Sequence, residues 1–99
     1  MNLEGKKIWV KSASEAIKVI RIAKEMNPKY KNFGDNNIGC AYYFYKGHMS
    51  FGGSSIDFQT MTDSSIRESE SGEWFNNHDN EEITFKDLIG INFKIVKKG

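Results

Sequence analysis

The sequence predicts an α+β domain, with one main helix packed on a mostly antiparallel β-sheet in the order β-α-β-β-β-(short helix)-β. Three observations predict it. Ser12 to Met26, SASEAIKVIRIAKEM, repeats apolar residues at helical period. Residues 38–61 alternate aromatic and polar positions and are broken by Lys46-Gly47 and Gly52-Gly53. The chain has 99 residues, enough for one modest core, with no repeat or linker, so residues 1–99 are expected to form a single domain.

The helix is justified first. Ser12 and Glu15 have capping-box spacing: the Ser12 hydroxyl can accept from the Glu15 N–H, and the Glu15 carboxylate can reach back to the Ser12 N–H. Ala13, Ala16, Val19, Ile20, Ala23 and Met26 share one side, with Ile17 and Ile22 at its edges. Asn27-Pro28 ends the helix, because a residue before proline is pushed out of the α region. A helix this short is marginal in water, so its stripe needs a sheet to cover it.

The strands follow. Lys7 to Lys11, KIWVK, is a short strand leading into the helix. Residues 29–37, KYKNFGDNN, form a polar loop that Tyr30 and Phe33 pack down. Ile38 to Lys46, IGCAYYFYK, is the strongest strand; Tyr42 and Phe44 share one face, and Ala41, Tyr43 and Tyr45 the other. A Lys46-Gly47 hairpin, a strand through Met49 and Phe51, and a third strand through Ile56, Phe58 and Thr60 complete a meander. Residues 62–82 read as a long acidic loop with a helical turn near Glu73 to Asn77, anchored by Trp74-Phe75. Thr84 to Gly90 reads as a short helix capped by Thr84, and Ile91 to Val96 as a last strand.

Composition narrows the function classes. Aromatic content of 13% argues against disorder. No apolar run approaches the ~18 residues of a membrane span. The opening MNLEGKKIWV lacks an apolar signal-peptide core, and the single cysteine, Cys40, excludes an internal disulfide and fits a reducing cytoplasm. Net charge is +1 but unevenly laid out: residues 1–33 carry +5, residues 34–90 carry −7, and three lysines follow. Folding that joins the two ends would give a basic side and an acidic side.

Chemistry-bearing constellations are sparse. Cys40 and His48 could meet on neighbouring strands as a thiol–imidazole pair, but no third group orients them, and Cys40 sits in an apolar strand. His48, His78 and Cys40 lack metal-ligand spacing, and neither GDNN nor HDNEE is a calcium loop. No phosphate-binding glycine loop occurs. The expectation is a non-enzymatic protein with no metal and no cofactor. Three sets remain for binding. Trp9, Tyr43 and Tyr45 would form an aromatic face left open by a single covering helix. Glu68, Glu70 and Glu73, with Trp74, would present carboxylates to a basic partner. Lys18, Arg21, Lys24, Lys29 and Lys31 form a weaker basic set.

The segments KKIWVKSASEAIKVIRIAKEM and EWFNNHDNEEITFKDLIG, with aromatic hairpins between them, resemble small uncharacterised bacteriophage accessory proteins. In that group the order strand, S-x-E-E-A helix, meander, I-T-x-x-D/E-L recurs. This chain departs at Asn27-Pro28-Lys29, where a glycine-tyrosine-tryptophan group is common, and adds the terminal INFKIV. The resemblance carries over no functional residue. It implies an accessory protein in the cytoplasm of a bacterial host, where such proteins bind and block host defence components. The leading expectation is thus stoichiometric inhibition of a host protein. Two alternatives stand beside it: an oligomer, or homodimer, sequestering a small nucleotide ligand between aromatic faces, and a weak single-stranded nucleic-acid binder.

Overall fold

The structure, a computed structural model, describes residues 3–53 and 70–90. Within them the chain runs β1 (Lys6–Trp9), α1 (Ala13–Met26), a 3-10 turn (Pro28–Tyr30), β2 (Ala41–Tyr45), β3 (His48–Gly52), α2 (Glu70–Asn77), β4 (Glu81–Ile83) and α3 (85–90). This is an α+β fold around one mixed sheet of order β3-β2-β1-β4. β1 pairs antiparallel with β2, placing Lys7 beside Tyr43 and Ile8 beside Tyr42. It pairs parallel with β4, placing Ile8 beside Ile83.

Local sequence explains the elements. The Ser12 hydroxyl accepts from the Glu15 N–H at 3.2 Å, as expected of an N-cap. The Glu15 carboxylate accepts from the Lys11 N–H at 3.0 Å, one residue before the expected donor, and so ties the exit of β1 to the first turn of α1. The buried stripe of α1 is Ala16, Val19, Ile20, Ile22 and Ala23. Ala13, expected inside, is exposed, and Ile22, expected at the edge, is buried; what flanks the helix sets its buried arc, not its period alone. Asn27 leaves the helix in an extended conformation, and its side chain caps the Pro28–Tyr30 turn by accepting from the Lys29 N–H. The 29–37 segment therefore begins as a 3-10 turn rather than a plain loop. The β2–β3 hairpin turns at Lys46 and Gly47, both at positive φ (52° and 74°), which matches the right-handed twist of the strands. Glu4 accepts from the Gly47 N–H at 2.7 Å and fixes that turn to the start of β1.

Strand alternation then sorts side chains into two cores. Tyr42 and Phe44 join Ile8, Val10, the α1 stripe, Tyr30, Ile83 and Leu88 of α3 on one face. Ala41 and Tyr43 join Trp9, Cys40 and Phe75 of α2 on the other. The parity expected for β2 holds, but the layer count does not: a second helix covers the face that one helix was expected to leave open. The helical turn expected near Glu73 to Asn77 is present and longer, starting at Glu70. Beyond it lies a strand, β4, for which three residues gave no legible alternation. At α3 the Thr84 hydroxyl accepts from the Asp87 N–H while the Asp87 carboxylate accepts from the Thr84 N–H, both at 3.0 Å, so the expected cap is a reciprocal box. The strands expected at 56–60 and 91–96 lie outside the described residues.

The hairpin closes tightly at its open end. A Cβ on Gly39 would run into the Gly52 carbonyl oxygen and come within 2.9 Å of the Phe51 ring. Backbone cannot yield as a flexible side chain does. Gly39→Ala should therefore destabilise the protein by about 2–3 kcal/mol, as overpacking does, read by denaturant unfolding. A change below ~0.5 kcal/mol would show that this end of the hairpin is loose.

Candidate partner-binding surface

The candidate surface is built on α2, and β1 and β2 decide where α2 sits. Phe75 is fully buried against Trp9 (ring centroids 5.3 Å apart, edge-on) and Tyr43 (5.7 Å). Burying a phenylalanine side chain contributes about 2–3 kcal/mol. Lys7, on the same strand face, is only 5% exposed. Its Nζ lies 4.6 Å from the Phe75 ring centroid and donates to the carbonyls of Phe75 and, at 3.1 Å, His78. Those carbonyls lie at the C-terminal end of α2, where a cation complements the helix dipole; the Phe75 carbonyl also accepts from the His78 N–H at 3.2 Å. Beyond the helix, Asn80 donates through its amide to the carbonyls of Lys6 (2.9 Å) and Phe44 (3.1 Å), bridging the ends of β1 and β2.

With Phe75 turned inward, Trp74 and His78, four residues apart, face outward together. Trp74 is 57% exposed, the most exposed large hydrophobic residue among those described. Its ring stands edge-on to Tyr43 at 5.0 Å (80°) and 5.2 Å from His78. His78 lies 4.5 Å from Tyr43 and 5.7 Å from Tyr45, and its Nδ1 accepts from the Asn80 N–H at 3.1 Å. The proton of the neutral ring is thereby assigned to Nε2. The outcome is an aromatic strip, Tyr45–His78–Trp74, resting on a buried tyrosine. An open pocket of about 430 Å³ beside it is lined by Glu73, Trp74, Asn77, His78 and Asp79.

The structure places the predicted site residues unevenly. Tyr45 is exposed, whereas Tyr43 (1% exposed) and Trp9 (6%) are interior. The open aromatic face expected of Trp9, Tyr43 and Tyr45 is thus corrected, because α2 occupies it. Neither Trp9 nor Tyr43 offers a ring face for base stacking, and both support the surface from beneath. Glu73 and Trp74 come together on α2, Glu70 stands at its first position, and Glu68 lies outside the described residues. Sequence reasoning weighed His78 only as a metal ligand and gave Lys7 no role beyond its strand. The spacing of Phe75 against Trp74 and His78 was the available signal for the former; nothing in the local sequence marks Lys7.

Other candidates separate. Cys40 is fully buried beside Gly52 at one end of the hairpin, while His48 pairs with Tyr45 at the other, so no thiol–imidazole pair forms. Among the described residues no group of three His, Cys, Asp or Glu could hold a metal, and no helix is long and apolar enough to cross a membrane. A larger groove of about 810 Å³ runs between the 28–37 segment and β3, with Lys29, Lys31, Phe33 and Phe51 among its lining residues. Compared with protein-family models, curated proteins and solved structures, the chain finds no match in any of the three.

Burial sets the tyrosine chemistry. Removal from water pushes Tyr42 up to about 12, against the opposing bond from the Gly39 N–H, and raises Tyr43 and Tyr30 above the usual 10. Unfolded tyrosines ionise near 10, so the stability linked to these groups is complete below pH 10 and falls as pH rises toward 12. Tyrosinate absorbance should rise with loss of near-ultraviolet circular dichroism over that window; ionisation near 10 with the dichroism intact would contradict it. A second prediction concerns Lys7. Lys7→Met keeps the apolar stem but removes the donor, and should cost about 1–3 kcal/mol in denaturant unfolding, with faster hydrogen exchange concentrated in α2. Unchanged exchange there would show that α2 is held by Phe75 alone.

Proposed function

We propose that the protein is a stoichiometric binding module that docks on another protein through the outer face of α2. One observation carries this reading: Trp74, more than half exposed, forms a strip with His78 and Tyr45, in which Tyr43 packs beneath Trp74 and His78 and Tyr45 packs on His78. Tryptophan and tyrosine dominate binding hot spots because a large ring is buried at little cost in side-chain entropy. A strip already locked by packing loses still less on association. The carboxylates of Glu73 and Asp79 beside it favour a partner with a basic surface. The resemblance to phage accessory proteins supports the biological setting: the partner is a protein of a bacterial host, a defence component among them, and the module acts by occupying it.

The test is affinity capture from bacterial lysate with the wild-type chain and with Trp74→Ala, followed by intact-complex mass measurement. The wild type should retain a protein at fixed stoichiometry, and the variant should lose it, with affinity reduced by about 2 kcal/mol or more. Folding stability should change by less than about 1 kcal/mol, since the residue is exposed. Equal retention by the folded variant would overturn the assignment to this face.

A further inference from the structure

The pocket beside Trp74 combines features that call for one kind of side chain. Among the described residues its lining is two carboxylates (Glu73 and Asp79), the Asn77 amide, the His78 ring and the indole of Trp74, with no lysine or arginine. The sequence around it is acidic: between Arg67 and Lys86 it holds six carboxylates. The Trp74 ring packs against Tyr43 and His78 yet remains 57% exposed, so more than half of the residue is open to a partner. An exposed indole face is the strongest aromatic partner for a cation, and carboxylates at its rim supply hydrogen-bond acceptors and opposite charge. A volume of about 430 Å³ admits a whole long side chain rather than a bare ion.

Resting on the docking reading above, we infer that this pocket is a guanidinium site that receives an arginine side chain presented by the protein partner. Arginine is favoured over lysine on physical grounds. Its planar group stacks on an indole while its edge donates to carboxylates, and it sheds water more readily than an ammonium group. An apolar side chain would cover Trp74 but would crowd Glu73 and Asp79 without neutralising them, at a desolvation cost. An anionic group is opposed by the same two charges.

The probes are a capped Gly-Arg-Gly peptide and its citrulline counterpart, which keeps the shape and loses the charge. The chain has two tryptophans. Their indole N–H resonances separate the pocket from an internal control, because Trp9 is interior. The arginine peptide should shift the Trp74 indole and spare that of Trp9, bind about tenfold more tightly than the citrulline peptide, and weaken as salt is raised. Glu73→Gln combined with Asp79→Asn should reduce its affinity about fivefold or more while leaving the fold intact. Equal binding of the two peptides, an unmoved Trp74 indole, or wild-type affinity in the double variant would overturn the proposal. The two readings fail separately. A partner lost with Trp74→Ala but retained by the double variant keeps the docking face and removes the guanidinium site. A partner retained by Trp74→Ala removes the docking face, while the peptide titration still reads the pocket directly.

Discussion

Lys7 sits where the architecture is decided. β1 is flanked by β2 and β4, so its alternate side chains enter two different cores. Ile8 and Val10 go to the face shared by α1 and α3, and Trp9 goes to the face under α2. Lys7 points the same way as Trp9, where burying a long cationic side chain is costly unless its head finds acceptors. It finds them in the carbonyls at the end of α2. The helix end gains a charged donor in return, beside the His78 N–H that the Phe75 carbonyl also accepts. The end of α2 thus satisfies the buried Lys7 head, and Phe75 packing on Trp9 and Tyr43 seats the same helix on the sheet.

That pairing decides which rings of α2 face outward. With Phe75 locked beneath, the rotation of an α-helix places Trp74 and His78 outward together, and Tyr43 supports both rings from the sheet. The exposed aromatic area is small, but it is preorganised, which favours tight association over mere stickiness. The two aromatic residues expected to be contacts, Trp9 and Tyr43, have become the foundation of the site.

The charge layout gains meaning from the same two-sided arrangement. Exposed Lys18 and Arg21 lie on α1, on one side of the sheet, while Glu73 and Asp79 lie with α2 on the other. Some charges near the boundary are consumed locally: Lys6 bonds Glu81 at 2.6 Å and Lys24 bonds Asp35 at 2.5 Å. Such exposed pairs contribute little to stability. Neither Glu73 nor Asp79 forms an ion pair with another described residue.

Much was legible in the chain because it depends on neighbours in sequence. The Ser12 cap, the Pro28 stop, the Lys46-Gly47 turn, the two faces of β2 and the Thr84–Asp87 box are local events, each encoded within about five residues. The α+β class followed from them. Three things were decided only in three dimensions. β4 is too short to show a period, and becomes a strand because β1 offers it a partner. Ile22 is buried and Ala13 is not because of what surrounds α1. Above all, the sheet face expected to be open is covered: the helical turn legible near Glu73 to Asn77 is a full helix laid on that face, where Phe75 packs on Trp9 and Tyr43 and meets Lys7, sixty-eight residues away in the chain. Local periodicity can state which face a residue takes. It cannot state what will cover that face, because covering joins residues distant in the chain, and here it set which aromatics remain exposed.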